Sequence, residues 1–219
     1  MTDIDADSGV MENGEVDRAQ AESAKRSQIL EGARRAFLAY GYEGTSMSLI
    51  AREAGVSKGT LYVYFCNKEA LFSAFIEGQC RTQGGTAFDV LNSDAPVGEV
   101  LPVFGRRFVE FILEESSHVI RRLVVAESGK FPELGRAFYE SGPRQMATQL
   151  ADYLKRRIEA GELDIDDPQL AAVQFIGLCK ADLDLKRQMS VIETATPQRI
   201  GYIVDQAVRL FLDAYRPHR

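Results

Sequence analysis

Four closely spaced residues have side chains suited to contacting nucleic acid: Lys58, Gly59, Thr60 and Tyr62. Lysine can meet a phosphate or a guanine edge, threonine can offer a hydroxyl and a methyl group to bases, and glycine lets a backbone approach closely. The chemistry that they predict is non-covalent recognition in a major groove. Taken alone, the same residues also fit an ordinary helical hairpin with a solvated polar face.

A short amphipathic helix precedes these residues. Over residues 47–54, apolar side chains recur at the spacing that buries one face of a helix. Ser46 can cap the first turn by accepting a hydrogen bond from a free amide. Gly55 can end the helix, because only glycine enters the left-handed backbone region without steric cost. The apolar residues are Met47, Ile50, Ala51 and Ala54.

A second short helix follows a tight turn. On a wheel of roughly 100° per residue, Leu61 and Phe65 share one face and should point inward. Gly59 and Val63 then point outward. The flanks of this exposed side carry Lys58, Thr60 and Tyr62. Tyr64 lies nearer the buried face, so we expect only its hydroxyl to reach solvent. The two helices and their glycine turn are typical of a helix-turn-helix.

A third helix is predicted upstream, from about Lys25 to the closing Gly41, by the stripe Ile29, Ala33, Phe37 and Tyr40. With it, the pattern AFLAYGYEGTSMSLIAREAGVSKGTLYVYFCNKEALF over residues 36–72 closely resembles the N-terminal domain of the tetracycline-repressor (TetR) family of bacterial regulators. Cys66 departs from the family pattern, where a basic or small polar residue is more usual.

This resemblance implies a set of DNA contacts. Phosphate would be contacted at the start of the second helix by Thr45 and Ser46. The turn that enters the groove would consist of Ser57, Lys58, Gly59 and Thr60. Backbone or bases would be contacted by Tyr62 and Tyr64, and phosphate at the start of the fourth helix by Lys68.

The charge distribution favours this interpretation although the whole chain is acidic. The formal net charge is −6 and the sequence pI is about 5.1. Residues 1–24 carry seven acids and one base, a net of −6, whereas residues 25–68 carry seven bases and three acids, a net of +4. The basic charge lies where DNA would be met. The acidic segment 1–24 is predicted to be disordered, either inert or competing with DNA for the basic face.

Beyond residue 72 the periodicity stays helical, and no alternating run is long enough to predict a sheet. We therefore predict an all-α fold, with a three-helix helix-turn-helix DNA-binding domain over 25–72 and a larger C-terminal helical domain for ligand binding and dimerisation over 73–219. The predicted helices of this larger domain span about 68–83, 97–115, 119–127, 132–160, 168–186 and 197–214, with a kink or split at Gly142-Pro143.

The last two long helices are apolar over more than one stripe. So wide an apolar surface needs partners on two sides, which would be the domain core and the same pair of helices from a second subunit. Two central helices of a monomer are the alternative. The resemblance favours a homodimer, whose two recognition helices would read half-sites about 34 to 36 Å apart on a near-palindromic operator. The residues are Leu170, Ala171, Val173, Phe175, Ile176, Leu178 and Cys179, then Ile200, Ile203, Val204, Ala207, Val208, Phe211 and Leu212.

Aromatic residues recur at helical spacing in the middle of the chain. They fit either a packed core or an effector pocket, and the family resemblance favours the pocket. The segment RRLVVAESGKFPELGRAFYE, residues 121–140, also resembles the C-terminal domain of AefR-like family members. We expect an apolar or cationic effector that moves the helix beginning at Lys68 and, in a repressor, releases the operator. The candidate pocket residues are Phe104, Phe108, Phe111, Phe138, Tyr139, Met146 and Phe175.

Catalytic signatures are scarce in the sequence. It has two histidines, His118 and His218, and no P-loop, HExxH or readable Ser/His/Asp pattern. We expect no enzyme activity, cofactor or metal; a helical-bundle small-molecule binding protein or enzyme without DNA activity is the alternative. Cys66, Cys80 and Cys179 match no disulfide or metal motif, so burial and thiol sensing both stay open. Without a bilayer-length apolar run or a secretory signal, we expect a cytoplasmic protein.

Overall fold

The computed structural model describes residues 8–217, without the side chains of residues 8–19 and 79–87. The described residues form helices and no strand, which confirms the predicted all-α class. They divide into two compact units, and the chain passes from the first to the second between Phe75 and Ile76.

The first unit contains α1 (Ser8–Tyr40), α2 (Met47–Ala54), α3 (Lys58–Tyr64) and the beginning of α4 (Lys68–Phe88). The second unit contains the rest of α4, a single 3-10 turn (Asp89–Asn92) and seven further helices among the described residues. These are α5 (Val97–Leu113), α6 (Glu115–Glu127), α7 (Pro132–Ser141), α8 (Pro143–Glu159), α9 (Pro168–Lys180), α10 (Leu183–Gln188) and α11 (Pro197–Tyr215).

The first helix begins earlier than the sequence predicted. Residues 8–24, expected to be disordered, form the first part of α1; residues 1–7 of the same predicted segment lie outside the described residues. The physical reason is that the segment contains no proline and several good helix formers, so the helix extends from its packed portion toward the N-terminus.

A cluster of four aromatic rings fills the core of the first unit. Phe37, Tyr42, Phe72 and Phe75 are almost completely buried. Their described ring pairs have centroid separations between 5.0 and 6.0 Å, the range in which aromatic rings attract one another. The cluster joins α1, the turn after it and α4, and α2 packs against α1.

In the second unit, α5, α8, α9 and α11 surround the main apolar core. The helices approach closely at Gly105 of α5, where an added Cβ would be 2.7 Å from Val204 Cγ1 and 3.2 Å from Cys179 Sγ. Glycine at this position therefore lets α5, α9 and α11 pack without a gap. Helices α7 and α8 are separate, which confirms the break predicted at Gly142-Pro143.

Several helix boundaries in the second unit differ from the prediction, and α6 begins at Glu115 rather than at 119. Helix α4 continues through Gly84 and Gly85 to Phe88, because glycine lowers helix stability by only about 1 kcal/mol and does not forbid a helix. The predicted helix over 168–186 is divided into α9 and α10 at Asp182, which has φ of 69°. The carboxylate of Asp182 forms ion pairs with Lys186 and Arg199, and these contacts hold the unusual backbone.

Candidate functional site

Side-chain caps fix the ends of α2 and α3. The Ser46 hydroxyl accepts a hydrogen bond from Leu49 N at 3.2 Å, and the Ser57 hydroxyl accepts one from Thr60 N at 3.0 Å. Gly55 has φ of 64°, the left-handed conformation that the sequence predicted for the turn. The caps and the turn therefore form as expected and set the angle between the two helices.

Helix α1 holds the end of α2 in place. Gln28 Nε2 donates a hydrogen bond to Ala54 O at 2.7 Å, and Arg35 donates one to Glu53 O. An added Cβ at Gly32 would be 2.5 Å from Ala54 Cα, so α1 and α2 touch backbone to backbone. These contacts position α2, and through the turn also α3, against the rest of the unit.

Helix α3 buries one side and exposes the other, as the wheel predicted. Leu61 and Phe65 face inward with 0% and 5% exposure. Val63 is 82% exposed, Tyr62 is 52% exposed, and Lys58 is exposed. An added Cβ at Gly59 would meet only Ser57 Oγ, at 3.7 Å, so this position is open. We call Lys58, Gly59, Tyr62 and Val63 the recognition face.

The hydroxyl-bearing candidates occupy different environments. Thr45 is a correction to the prediction, because its side chain is only 2% exposed and its hydroxyl donates to Gly41 O at 2.7 Å. That bond holds the turn after α1, which leaves the Thr45 side chain unsuited to phosphate. Ser46 and Ser57 are exposed caps, and Thr60 is half-buried with its hydroxyl 2.8 Å from that of Ser57.

The two remaining candidates are half-buried. Lys68 Nζ donates to Tyr42 O at 2.8 Å and lies 4.2 Å from the centroid of the Tyr42 ring. The observed contact of Lys68 therefore holds the start of α4 to the turn after α1, and a phosphate contact stays a prediction. Tyr64 is half-buried, which agrees with its expected position near the buried face.

The positive charge of the first unit is only partly compensated. Arg34 donates hydrogen bonds to Glu31, and this contact lowers the pKa of Glu31 and raises that of Arg34. Arg52 is 72% exposed and lies 3.9 Å from Glu53, while Lys58 has no ion-pair partner among the described residues. The bases next to the recognition face therefore remain available to an anionic partner.

The second unit contains a cavity of about 290 Å³, near the lower end of the range of about 300 to 1000 Å³ for ligand pockets. Side chains from α5, α6, α7, α8 and α9 surround it, together with the last residue of α4. Most are apolar or aromatic. The lining residues are Phe88, Phe108, Phe111, Ile112, Ser117, Ile120, Arg121, Phe138, Ser141, Gly142, Pro143, Gln145, Met146, Gln149, Ile176 and Lys180.

Four of the seven candidate pocket residues line this cavity: Phe108, Phe111, Phe138 and Met146. The other three require a correction. Phe104 and Phe175 are fully buried with ring centroids 6.3 Å apart, so they belong to the core behind the cavity. Tyr139 is 55% exposed, because it follows Phe138 on α7 and points away from the lining.

Two cations of the lining, Arg121 and Lys180, are not among the candidate pocket residues. For Arg121 and other charged residues of this domain, the sequence favours solvated faces or interhelical salt bridges and leaves one polar ligand contact among them open. Lys180 lies one helical turn after Ile176, another lining residue, so the spacing could have indicated it. Spacing alone does not separate a lining cation from a charge at a helix surface, because the same positions suit both.

Helices α9 and α11 each keep exposed apolar side chains. Leu170 and Val173 on α9 are 52% and 48% exposed, and Leu210 on α11 is 51% exposed. The breadth of this exposed apolar surface is smaller than predicted, because the seven apolar residues assigned to the last helix are all buried in its own unit. The exposed part of α11 instead carries Tyr202 and Leu210 among polar residues.

Two further functional classes can be examined in the described part of the chain. Within it, no helix is both long and apolar enough to cross a membrane. Its histidine, cysteine and acidic side chains do not come together in groups of three that could hold a metal ion.

Comparisons with known proteins agree with this geometry. The model for bacterial regulatory proteins of the tetR family matches residues 29–75, and that for the C-terminal domain of AefR-like transcriptional repressors matches residues 99–217. The uncharacterized HTH-type transcriptional regulator YhgD of Bacillus subtilis (strain 168) is 28% identical over 159 residues, covering 70% of this chain and 80% of YhgD.

Two solved structures are similar over most of their length. The Flavonoid-responsive Regulator FrrA is 34% identical with a TM-score of 0.77, covering 90% of this chain and 100% of that one. A protein from Mesorhizobium loti MAFF303099 described as a TetR-family transcriptional regulator is 28% identical with a TM-score of 0.79, covering 89% and 98%.

A helix-turn-helix DNA-binding domain followed by a larger helical domain is the architecture of the TetR-family regulators among these solved structures. This chain belongs to the tetR family of bacterial regulatory proteins, with an AefR-like C-terminal domain. It is a ligand-responsive transcriptional repressor, and the comparisons do not favour the alternative of a binding protein or enzyme without DNA activity. Regulators of this family bind operators as dimers and respond to small molecules.

Proposed function

We propose that a homodimer of this chain represses transcription by placing two α3 helices in successive major grooves of a near-palindromic operator. The observation that carries the proposal is the recognition face, where an unpaired lysine, an open glycine and an exposed tyrosine lie together over a buried Leu61. A helix of this kind can approach base edges closely, and its N-terminal residues face the groove first.

Individual roles follow from exposure. Lys58 and Tyr62 would contact base edges or phosphate, and Gly59 would let the backbone of α3 come close to the groove. Ser46 and Ser57 lie at exposed helix starts, where backbone amides can also bind phosphate. Tyr64 and Lys68 would reach phosphate only with the polar atoms that their internal contacts leave free. Thr45 is omitted from the proposed contacts.

The proposed dimer forms through the exposed face of α9 and α11. Leu170, Val173 and Leu210 offer apolar area that the second unit does not bury itself. The same face repeated by a two-fold axis would form a four-helix interface, which is the simplest closed arrangement for two identical chains. Such a dimer matches a near-palindromic operator, because each half-site meets an equivalent α3.

Helix α4 is the proposed connection between effector and DNA. Its first residues contribute Phe72 and Phe75 to the aromatic cluster of the first unit, and its last residue, Phe88, lines the cavity. An effector that binds one arrangement of α4 better than another would shift the population of DNA-competent dimers. A coupling free energy of about 1 to 3 kcal/mol is typical of such regulators.

The proposed effector is a small, largely apolar molecule, because aromatic and aliphatic side chains dominate the cavity lining. FrrA responds to flavonoids, as its name states, so a planar aromatic molecule is a reasonable first candidate for this chain. We place the protein in the cytoplasm, because its operator DNA would be there.

The test is binding of the purified chain to DNA from upstream of its own coding region. Replacing Lys58 and Tyr62 together with alanine should weaken binding to an inverted repeat by about thirtyfold or more, since base contacts contribute about 1 to 3 kcal/mol each. The matched control variant replaces Arg136 and Tyr139, both exposed on α7, with alanine. This control variant should bind the operator as tightly as the unmodified chain.

Two results would contradict the proposal. One is unchanged operator affinity in the Lys58→Ala, Tyr62→Ala variant when its helicity and dimer mass are normal. The other is affinity that does not fall between low and moderate salt, because phosphate contacts release counterions and make binding strongly salt-dependent.

A further inference from the structure

The cavity in the second unit is apolar but not neutral. Its described lining residues include two bases, Arg121 and Lys180, and no aspartate or glutamate. The cationic effector that the sequence left open would therefore find no carboxylate among these residues. A cationic site lined by aromatic side chains instead favours a ligand of negative charge.

Arg121 has unused hydrogen-bonding capacity in this cavity. Its Nη1 donates to Asp184 Oδ1 at 2.5 Å, which holds the guanidinium of α6 toward α10. Its Nε and Nη2 atoms are buried and have no hydrogen-bond partner among the described residues. Buried guanidinium donors are nearly always satisfied, because an unpaired buried polar group is costly. The side chain is therefore held in place with donors free for an acceptor.

Lys180 provides the second positive charge. It lies in the last turn of α9, is half-buried, and has no ion-pair partner among the described residues. The two cations come from different helices, α6 and α9, and border the same space as Phe108, Phe111 and Phe138. The lining thus combines cations that can bind an anionic group with aromatic side chains that can cover an apolar body.

We propose that the effector of this repressor is an apolar molecule with an anionic oxygen group, which binds at Arg121 and Lys180. This inference rests on the proposed function and specifies the chemistry of its effector. Two classes of molecule share the chemistry, organic carboxylates and ionised phenols. A planar guanidinium with paired free N–H donors suits the carboxylate best, because it can bind both carboxylate oxygens.

The test compares probes of one shape and different charge on the full-length chain by titration calorimetry. Naphthoate should bind at least about tenfold more tightly than neutral naphthamide, since a charge-assisted hydrogen bond is much stronger than a neutral one. Naphthylmethylammonium should bind most weakly. Naphthol separates the two classes, because its ultraviolet absorption shows whether it binds as the phenolate.

Four variants locate the effect. The naphthoate preference is the ratio of the affinities for naphthoate and naphthamide. Arg121→Met should reduce this ratio to about one, and Lys180→Met should reduce it partly. Arg122→Met is the matched control, since Arg122 is an exposed neighbour on α6 outside the lining, and it should keep the full preference. Asp184→Asn removes the ion pair but keeps an amide oxygen that can still accept the hydrogen bond from Arg121 Nη1, so the preference should persist even if the melting temperature falls.

The proposal is overturned if the unmodified chain shows no naphthoate preference, whether it binds the probes equally or not at all. It is also overturned if Arg121→Met keeps the preference, or if Asp184→Asn loses it as completely as Arg121→Met. Operator binding measured on the same samples separates the two proposals. A chain that binds the operator but not the anion refutes only this inference, whereas a chain that binds no operator refutes the proposed function.

Discussion

Replacing Gly32 with alanine should loosen the packing of α1 on α2. A Cβ at this position would lie 2.5 Å from Ala54 Cα, 2.5 Å from Ala54 Cβ and 2.6 Å from Ala54 N. Non-bonded carbon atoms prefer separations of about 3.5 to 4.0 Å. Because two of these atoms belong to the main chain, no rotamer change relieves the clash, and the two helices must separate by about 1 Å.

The expected loss of stability follows from two opposing terms. Overpacking of this kind costs about 1 to 3 kcal/mol, and a clash with main-chain atoms belongs in the upper part of that range. Alanine in place of glycine inside a helix returns about 1 kcal/mol. The net effect should be a loss of about 1 to 2 kcal/mol in the first unit, or a factor of about 5 to 30 in its opening equilibrium.

Hydrogen exchange with mass spectrometry measures this opening locally in the full-length chain. Amide protection in peptides covering 29–37 and 47–54 should fall by that factor, while peptides from the second unit keep theirs. Gly98→Ala on α5 is the control, because an added Cβ there meets nothing within 4 Å. Unchanged protection around Gly32 in the variant would refute the inferred helix contact, as would an equal loss in the control.

Three further predictions concern the second unit and the cysteines. Burial and the charges of Arg187 and Arg121 lower the pKa of His118 in the folded chain. As the pH falls, the unfolded chain therefore binds a proton at His118 before the folded chain does. Stability against urea should decline below about pH 6.5, and this decline should be smaller in His118→Gln. Val173→Glu should shift the mass measured by light scattering from dimer toward monomer, whereas Val125→Glu, at an exposed position on α6, should not. Burial raises the pKa of Cys179 to about 12, so iodoacetamide followed by peptide mapping should label exposed Cys66 in the native chain and Cys179 only after unfolding.

The helix-turn-helix was predictable because its signals are local. Ser46, Gly55 and Ser57 act within one turn of their positions, and Leu61 and Phe65 repeat at the helical period, so neighbouring residues alone determine these elements. The aromatic residues around the cavity were predictable in part for the same reason. Four of the seven candidates lie in the lining, since helical spacing identifies a shared face but not whether a core or a cavity lies beside it.

The features that sequence reasoning missed depend on contacts that helical periodicity does not indicate. Thr45 is buried because its hydroxyl bonds to Gly41 O in a turn whose geometry depends on the aromatic cluster. The division between α9 and α10 depends on Asp182, whose positive φ is held by ion pairs with residues of α10 and α11. Arg121 lines the cavity because Asp184, 63 residues away in sequence, orients it. None of these partners is indicated by local periodicity.

In the proposed function, the exposed side of α3 distinguishes one DNA sequence from another. The most direct measurement is the ratio of dissociation constants for an inverted repeat from the upstream region and for a scrambled duplex of equal length, both at moderate salt. The inverted repeat should bind at least about 10³-fold more tightly than the scrambled duplex. Equal binding of the two duplexes would contradict it, because phosphate contacts alone would then explain all of the affinity.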